Sequence, residues 1–270
     1  MALRIIAVDW SGAAAGGGSK NALAEAAAGR LLHVEDHLTR RQVVERLIEI
    51  KKRSERAVIG LDFGFSAPAW YMAERGFAEA PELWRWLADG DHASALLREC
   101  APPFWGRKGK FKPTLSAHHR DTELKVKAVA GIRPKSVFQI SGPGTVGTGS
   151  IRGMCALHEL RHAGFSIWPF DDQGAHTIVE IYPRLLTDPV NKSDPQRRRE
   201  YLGKISDRMD EDQRAIAGDS EDAFDAAVSA IKMSEPKHAA DLASLPRIDD
   251  PQLRLEGIIW HPQWRETLRV

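Results

Sequence analysis

Two short apolar runs that each end in an aspartate constrain the fold of this chain most. Residues 3–8 are rich in β-branched side chains and precede Asp9, and residues 57–61 precede Asp62. Runs of this length, bounded by turn residues, predict buried strands. Ligands bind beyond the carboxyl ends of strands in open α/β sheets, so we expect the two carboxylates to be neighbours there. Either aspartate alone is equally typical of a turn, in which its side chain bonds to the backbone.

The residues between these runs predict two further strands and a helix. Residues 22–26 and 30–35 flank Ala27-Ala28-Gly29, a pattern typical of a hairpin with a short turn. From Thr39, a suitable N-cap, to residue 52, apolar side chains recur at helical spacing. The predicted order is strand, strand, strand, helix, strand, with the first three strands antiparallel.

After residue 66 the pattern becomes irregular and later returns to α/β alternation. We interpret about 67–135, which holds four tryptophans, as an insertion within a single domain of residues 1–270. The remaining predicted elements are strands at 136–140, 167–170 and 177–182, a loop at 141–150 with a helix to 162, and helices near 196–205 and 221–233. The predicted fold class is α/β, with three antiparallel strands followed by parallel strands and flanking helices.

The composition limits both the state of the chain and the partners that it can bind. Hydrophobic residues make up 43% and charged residues 28%, which excludes disorder as the main state. Because 38 Lys and Arg nearly balance 37 Asp and Glu, contact with nucleic acid needs a local basic patch. Two cysteines indicate a reducing compartment. Without a signal peptide or an apolar run of roughly 18 residues, we expect a cytoplasmic protein with no membrane partner.

Three further acids lie in later elements. Glu180 interrupts the apolar run 177–182, and a carboxylate facing a sheet interior needs a cation, whereas one facing solvent does not. Asp222 and Asp225 are three residues apart in a predicted helix, so their carboxylates share one side of it. The alternative is that Asp219 caps this helix, Asp222 offsets its dipole and Asp225 is solvated.

Together these acids have the chemistry of a metal site for phosphoryl transfer. Mg²⁺ takes oxygen ligands and usually retains water and substrate phosphate. We expect Mg²⁺ or Mn²⁺ as cofactor, with Asp9, Asp62, Asp222 and Asp225 as the metal ligands. In this hypothesis Asp9 bridges two ions, and Asp62 and Asp225 hold one each. Asp222 or Glu180 then completes the ligand shell or orients the attacking water, and all five acids are candidate catalytic residues.

Four motifs containing these acids resemble those of a known family. They are Val8-Asp9-Trp10-Ser11-Gly12, Gly60-Leu61-Asp62-Phe63-Gly64-Phe65, Glu180-Ile181-Tyr182-Pro183 and Asp222-Ala223-Phe224-Asp225-Ala226. They are similar to domain-of-unknown-function family 429 (DUF429), described as predicted nucleases of ribonuclease-H-like fold. The order of elements also resembles Holliday-junction resolvases of the RuvC type. The resemblance implies a ribonuclease-H-like mixed sheet and a hydrolase that acts on DNA or RNA.

A second motif points to different chemistry. His158-Glu159-Leu160-Arg161-His162 matches the pattern in which two histidines one helical turn apart bind zinc. A third ligand would have to be Glu180, because no downstream histidine continues the motif. The alternative is a helix surface with two solvated histidines, and we predict no stoichiometric zinc.

Two loops are candidate phosphate contacts. The basic loop, residues 104–112, interleaves Arg107, Lys108, Lys110 and Lys112 with aromatic residues, as in proteins that bind a nucleic-acid backbone and stack on its bases. The alternative is a solvated loop held by its aromatic side chains. The loop 141–150 has four glycines before a helix and presents either backbone N–H groups to phosphate or only a flexible turn.

Two other functions remain open at this stage. An actin-like, nucleotide-dependent phosphotransferase has a related core and similar phosphate loops, although such enzymes normally use two copies of it. A non-catalytic nucleic-acid-binding module would keep the fold and bind without metal. ATP turnover distinguishes the first, and binding that survives chelation distinguishes the second.

Overall fold

A seven-stranded mixed sheet forms the centre of the molecule in a computed structural model that describes residues 3–12, 20–114, 117–142 and 145–268. Along the sheet the strands follow the order β3-β2-β1-β4-β6-β5, and β7 also pairs with β6. The strands are β1 (Arg4–Asp9), β2 (Asn21–Ala27), β3 (Arg30–Leu38), β4 (Ala57–Leu61), β5 (Ser166–Ile167), β6 (His176–Ile181) and β7 (Ile259–Trp260).

The strand directions are those of the ribonuclease-H-like topology. β1, β2 and β3 pair antiparallel, whereas β4 pairs parallel with β1 and β6 pairs parallel with β4, β5 and β7. Val8 at the end of β1 lies opposite Leu23 on one side and Leu61 on the other. The predicted fold class, including its three antiparallel strands, is confirmed.

Helices cover both faces of this sheet. They are α1 (Arg40–Arg53), α2 (Ala69–Glu74), α3 (Ala80–Ala88), α4 (His92–Glu99), α5 (Asp121–Lys125), α6 (Gly147–His162), α7 (Pro195–Lys204), α8 (Glu211–Asp219), α9 (Glu221–Met233), α10 (Pro236–Leu242), α11 (Pro251–Glu256) and α12 (Trp264–Leu268). Alternate residues of β1 enter opposite cores, Ile6 and Val8 on the face with α1 and α6, and Ile5 and Ala7 on the face with α9. None of the described helices is long and apolar enough to cross a membrane.

Local chemistry explains where the first elements begin and turn. Thr39 caps α1 as predicted, and its hydroxyl accepts a hydrogen bond from the Gln42 N–H at 3.2 Å. Gly29 has φ +76° between β2 and β3, a conformation that glycine adopts without a steric penalty. Its N–H also donates to the Ser234 carbonyl after α9, so the hairpin is joined to the helix that carries Asp225.

One predicted strand is absent and another is shorter than predicted. Residues 136–140 form a turn with only an isolated bridge between Gln139 and Trp105, because the Ser136 hydroxyl accepts from the Phe138 N–H and the chain folds back. The predicted strand 167–170 ends at Ile167, because Pro169 has no N–H to continue the ladder and Phe170 turns back to bond the Ile167 carbonyl.

The segment predicted as an insertion, about 67–135, contains α2 to α5 and irregular chain. Aromatic rings anchor it, since Tyr71 contacts Phe104 and Phe138 with ring centroids 5.9 and 5.3 Å apart. Trp84 is fully buried against the main core, whereas Trp70 and Trp86 are half-buried. The segment also supplies Arg120 and residues 132–135 to the site described next.

Candidate active site at the carboxyl edge of the sheet

The sheet brings Asp9 and Asp62 together as predicted. Asp9 ends β1 and Asp62 follows β4, and the Asp62 N–H donates to the Val8 carbonyl at 3.1 Å, which ties the two parallel strand ends to each other. Both side chains are half-buried. The adjacency follows from pairing β1 with β4 in parallel register, because the carboxyl ends then lie at the same edge.

Helix α9 brings the next two acids to the same edge. It begins after Ser220, whose hydroxyl accepts from the Ala223 N–H, so Ser220 and not Asp219 is the cap. The helix packs against β1 and β2, and its buried face carries Asp225, which is 1% exposed. Asp222 lies one turn earlier on the same helix and is half-buried. We call Asp9, Asp62 and Asp225 the acidic cluster.

Charge repulsion and burial act together on this cluster. Burial, followed by the charges of Asp62, Asp225 and Asp222, raises the pKa of Asp9 well above its ordinary value. Burial is also the largest cause that raises the pKa of Asp62, to about 8. Burial raises the pKa of Asp225, although Lys192 opposes the effect. The carboxylates are therefore close enough to destabilise one another's charged forms.

Asp222 is the outlying member of the four predicted metal ligands. Burial raises the pKa of Asp222, and the next largest cause is Asp36 of β3 rather than a member of the acidic cluster. The Ser220 hydroxyl donates to Asp36 at 2.6 Å, which places this second acid beside the start of α9. Asp222 therefore stands between the cluster and the antiparallel edge of the sheet.

A lysine that the sequence analysis did not identify lies within the cluster. The ammonium of Lys192 contacts the Asp225 carboxylate. Burial by itself lowers the pKa of Lys192, but Asp225, Asp9 and Asp62 outweigh that effect and raise it. Lys192 thus contacts Asp225 and interacts electrostatically with all three carboxylates. It lies in the loop between β6 and α7, where no motif marks it.

A buried arginine fixes the position of the Lys192 loop. Arg198 of α7 is 4% exposed, and its guanidinium donates to the carbonyls of Lys192, Gly218 and Asp219. Gly218 and Asp219 end α8, immediately before the helix that carries Asp225. Because one side chain bonds both segments, Lys192 and Asp225 are held in register by the fold.

Glu180 is present at the site, but its carboxylate is already engaged. It is 3% exposed and forms two bonds to the Arg120 guanidinium, at 2.5 and 2.8 Å, and a third from the Phe65 N–H at 2.9 Å. Arg120 is buried as well and also pairs with Glu123 at 2.9 Å. The cation that a buried Glu180 requires is therefore Arg120, contributed by the segment predicted as an insertion.

One cavity contains most of these groups. It has a volume of ≈ 510 Å³ and is lined from the ends of β1, β4 and β6, from residues 132–135, and from the start of α6. Lys192 and Asp225 also line it. Its volume lies within the range of about 300–1,000 Å³ that is typical of small-ligand sites.

Two buried polar atoms near the cavity lack partners. They are Oδ1 of Asp225 and Nε1 of Trp10, and both residues line the cavity. Buried polar groups are normally paired, so an unpaired carboxylate oxygen in an acidic cluster is a candidate ligand atom. Within the described ranges, however, no three His, Cys, Asp or Glu side chains are placed as a ready ligand set for one ion.

The predicted glycine loop lies against the end of β1. Residues 143 and 144 fall outside the described residues, but Thr145, Val146 and Gly149 line the cavity. A Cβ on Gly12 would lie 2.5 Å from the Gly149 N, so only glycine allows α6 to approach the strand this closely. The amino end of α6 therefore forms one wall of the cavity.

The basic loop lies outside the cavity lining. Arg107, Lys108, Lys110 and Lys112 are all exposed, and Phe111 between the last two is 86% exposed. Trp105 anchors the loop, with the Lys112 ammonium 5.5 Å from the centre of its ring. A role of this loop in binding nucleic acid stays a prediction.

The zinc-like motif has the arrangement of a helix surface. The rings of His158 and His162 are 4.3 Å apart on α6, but Glu159 between them pairs with Arg41 at 3.0 Å. Glu180, the third ligand that this reading needs, is engaged by Arg120 instead. Nothing in the described part of the chain completes a zinc site at this helix.

No family model, curated protein or solved structure matches this chain. The resemblance to DUF429 therefore stays a hypothesis carried by four motifs. The topology is confirmed by the strand pairing, and the chemistry of the site has to be inferred from its own residues.

Proposed function

We propose that this chain is a divalent-metal-dependent nuclease that hydrolyses phosphodiester bonds at the carboxyl edge of its sheet. The observation that carries the proposal is the convergence of Asp9, Asp62 and Asp225 from three elements beside a cavity, where all three act electrostatically on the Lys192 ammonium. Burial, and after it the neighbouring carboxylates, raises the pKa values of Asp9 and Asp62, as is common for acids at functional sites.

The donor atoms of the acidic cluster are of the kind that Mg²⁺ and Mn²⁺ bind. The acidic cluster offers only oxygen donors, which these ions prefer, and Oδ1 of Asp225 is buried without a partner. Asp9, whose pKa both Asp62 and Asp225 raise, would hold both ions, Asp62 and Asp225 would hold one each, and Asp222 would be an outer ligand. The acidic cluster would then hold the ions in place of the Lys192 ammonium.

The chain's own residues divide the work of phosphodiester hydrolysis. Divalent ions at such a site polarise the phosphate and lower the pKa of a bound water. The acidic cluster holds and orients the ions, and Glu180, locked by Arg120 and the Phe65 N–H, positions the end of β6 beside it. Lys192, once released from Asp225, places a positive charge next to the anionic substrate.

The motif resemblance supports the same function. Each of the four motifs that resemble DUF429 contributes an acid to this edge of the sheet, and three of those acids, Asp9, Asp62 and Asp225, form the acidic cluster. A fold alone does not establish an activity, so the support comes from the placement of the carboxylates within the fold.

A non-catalytic nucleic-acid-binding module is the second candidate. The observation that favours it is the contact between Lys192 and Asp225, which neutralises part of the cluster without any metal. In this case binding of nucleic acid would be unchanged by a chelator and by loss of Asp9.

Hydrolysis of labelled oligonucleotides, in single-stranded, duplex and branched form, tests the proposal. We expect Mg²⁺ or Mn²⁺ to support cleavage and EDTA to abolish it, with activity lost in Asp9→Asn and retained in the control Asp172→Asn, an exposed aspartate outside the cavity. Cleavage that persists in EDTA or in Asp9→Asn would contradict the proposal. ATP hydrolysis without cleavage would favour the phosphotransferase instead.

A further inference from the structure

The acids and the cations that line the cavity beside the acidic cluster differ in exposure. The lining acids are buried or half-buried, whereas three of the lining cations lie nearer the solvent, Arg133 and Lys135 exposed and Arg184 half-buried. We call these three the basic rim. A site that only bound metal or a neutral sugar would have no use for the basic rim, whereas a site for an anion beside a metal needs both.

The positive charges of the basic rim are not paired with carboxylates in the described residues. Lys135 and Arg184 form no ion pair with a carboxylate in the part of the chain that the structure describes, although four acids line the same cavity. Arg133 donates only to the Leu124 carbonyl, at 3.2 Å. Uncompensated cations that line a cavity attract anions, and guanidinium groups pair with phosphate in a two-pronged geometry.

An aromatic residue of the cavity lining interacts both with the basic rim and with the acids. Tyr182 follows β6, lines the cavity and is half-buried, and both Arg184 and the acids Asp62 and Asp225 act electrostatically on its hydroxyl. Exposed Ile132 adds an apolar surface beside Arg133. Cations along a backbone path with an aromatic platform are the chemistry by which proteins bind single strands.

The size of the cavity fits one strand better than a paired duplex. Its ≈ 510 Å³ is bounded by residues 132–135, the start of α6 and the turn after β6, and this is room for a small ligand such as one nucleotide.

We infer that the basic rim binds the backbone phosphates of a single-stranded nucleic acid, next to the bond at the acidic cluster, with Tyr182 stacking on a base. The inference rests on the proposed function for the identity of the anion. It does not require metal or turnover, because the rim is separate from the acidic cluster.

Binding of a short, labelled single-stranded oligonucleotide in EDTA tests this inference apart from hydrolysis. The rim variant combines Arg133→Gln, Lys135→Gln and Arg184→Gln. The charge-matched control combines Arg199→Gln, Lys204→Gln and Lys237→Gln, three exposed cations that do not line the cavity. Thermal unfolding confirms that both triple variants are folded.

We expect the rim variant to bind at least tenfold more weakly, and its slope of log affinity against log salt to flatten by about 2 units, since each single-strand phosphate contact contributes about 0.7. The control should retain the slope of the wild type. Tyr182→Leu should weaken binding while leaving the salt slope unchanged, because stacking releases no counterion.

Three results would overturn the inference: an unchanged slope in the folded rim variant, an equal loss in the control, or a blunt duplex that binds as tightly as the single strand. Failure of the proposed function has a different signature. In that case the wild type would bind the single strand through the rim and yet show no hydrolysis with Mg²⁺ or Mn²⁺.

Discussion

The ammonium of Lys192 contacts the carboxylate of Asp225 at the point where a divalent ion would lie in the proposed nuclease. Arg198 holds the Lys192 carbonyl and the end of α8 at the same time, so this contact is built into the fold. A cation that belongs to the chain stabilises crowded carboxylates when no metal is present, and it also competes with the metal for them.

Removal of the Lys192 charge should therefore tighten metal binding. We expect Lys192→Met to bind Mn²⁺ about tenfold or more tightly than the wild type, because the competing ammonium is gone. Calorimetric titration with Mn²⁺ measures the change. Lys135→Met is the matched control, since Lys135 lines the same cavity without contacting the cluster, and it should leave the affinity unchanged. Weaker or equal binding in Lys192→Met would refute competition.

The stability of the metal-free protein should depend on the charge of Asp62. The pKa of this carboxyl is raised from 3.8 to about 8, so its ionised form destabilises the fold progressively as pH rises through that window. In EDTA, Asp62→Asn should raise the melting temperature by roughly 3 °C or more at pH 8 and by little near pH 4. Thermal unfolding across pH, with Asp172→Asn as control, measures it. A melting temperature of Asp62→Asn below that of the wild type at every pH would show that the ionised Asp62 carboxylate does not destabilise the fold.

Arg120 should be essential for the fold rather than for the chemistry alone. Its loss leaves Glu180 and Glu123 buried without their cation, and breaking a buried ion pair in this way typically costs about 3–5 kcal/mol. We expect Arg120→Met to lower the free energy of unfolding by this order, as measured with urea. Arg120→Lys should not restore it, since one ammonium cannot make the two-pronged bond to Glu180. Full stability in either variant would contradict the assignment.

Purified protein should contain no stoichiometric zinc. His158 and His162 share a helix surface, but Glu159 pairs with Arg41 and no third ligand joins them in the described residues. Elemental analysis of wild type and His158→Ala checks this expectation. One zinc per chain that is lost in the variant would restore the zinc reading.

The part of the site that the sequence could predict is the part that regular elements carry. β1 and β4 are apolar runs, and the carboxyl ends of parallel strands lie at one edge of a sheet. The proximity of Asp9 and Asp62 therefore follows from the sequence pattern alone. Asp225 could be predicted in the same way, because its position on α9 is set by the helical period.

The residues that the sequence could not predict are those whose neighbours come from loops. Lys192, Arg120 and the basic rim lie in irregular segments, where no period relates a residue to the sheet edge. The sequence predicts that Glu180 needs a cation, because it is a carboxylate in an apolar run. It does not identify that cation, because Arg120 is 60 residues away. The wrong strand at 136–140 has the same cause, because the Ser136 hydroxyl bonds the backbone and competes with a ladder.

A crystal structure of the protein soaked in Mn²⁺, with anomalous scattering recorded at the manganese edge, tests the central claim most directly. The account predicts anomalous density between Asp9, Asp62 and Asp225, with the Lys192 ammonium displaced from Asp225, and no such density in Asp9→Asn. Density absent from the cluster at saturating Mn²⁺, with Lys192 still in contact with Asp225, would contradict it.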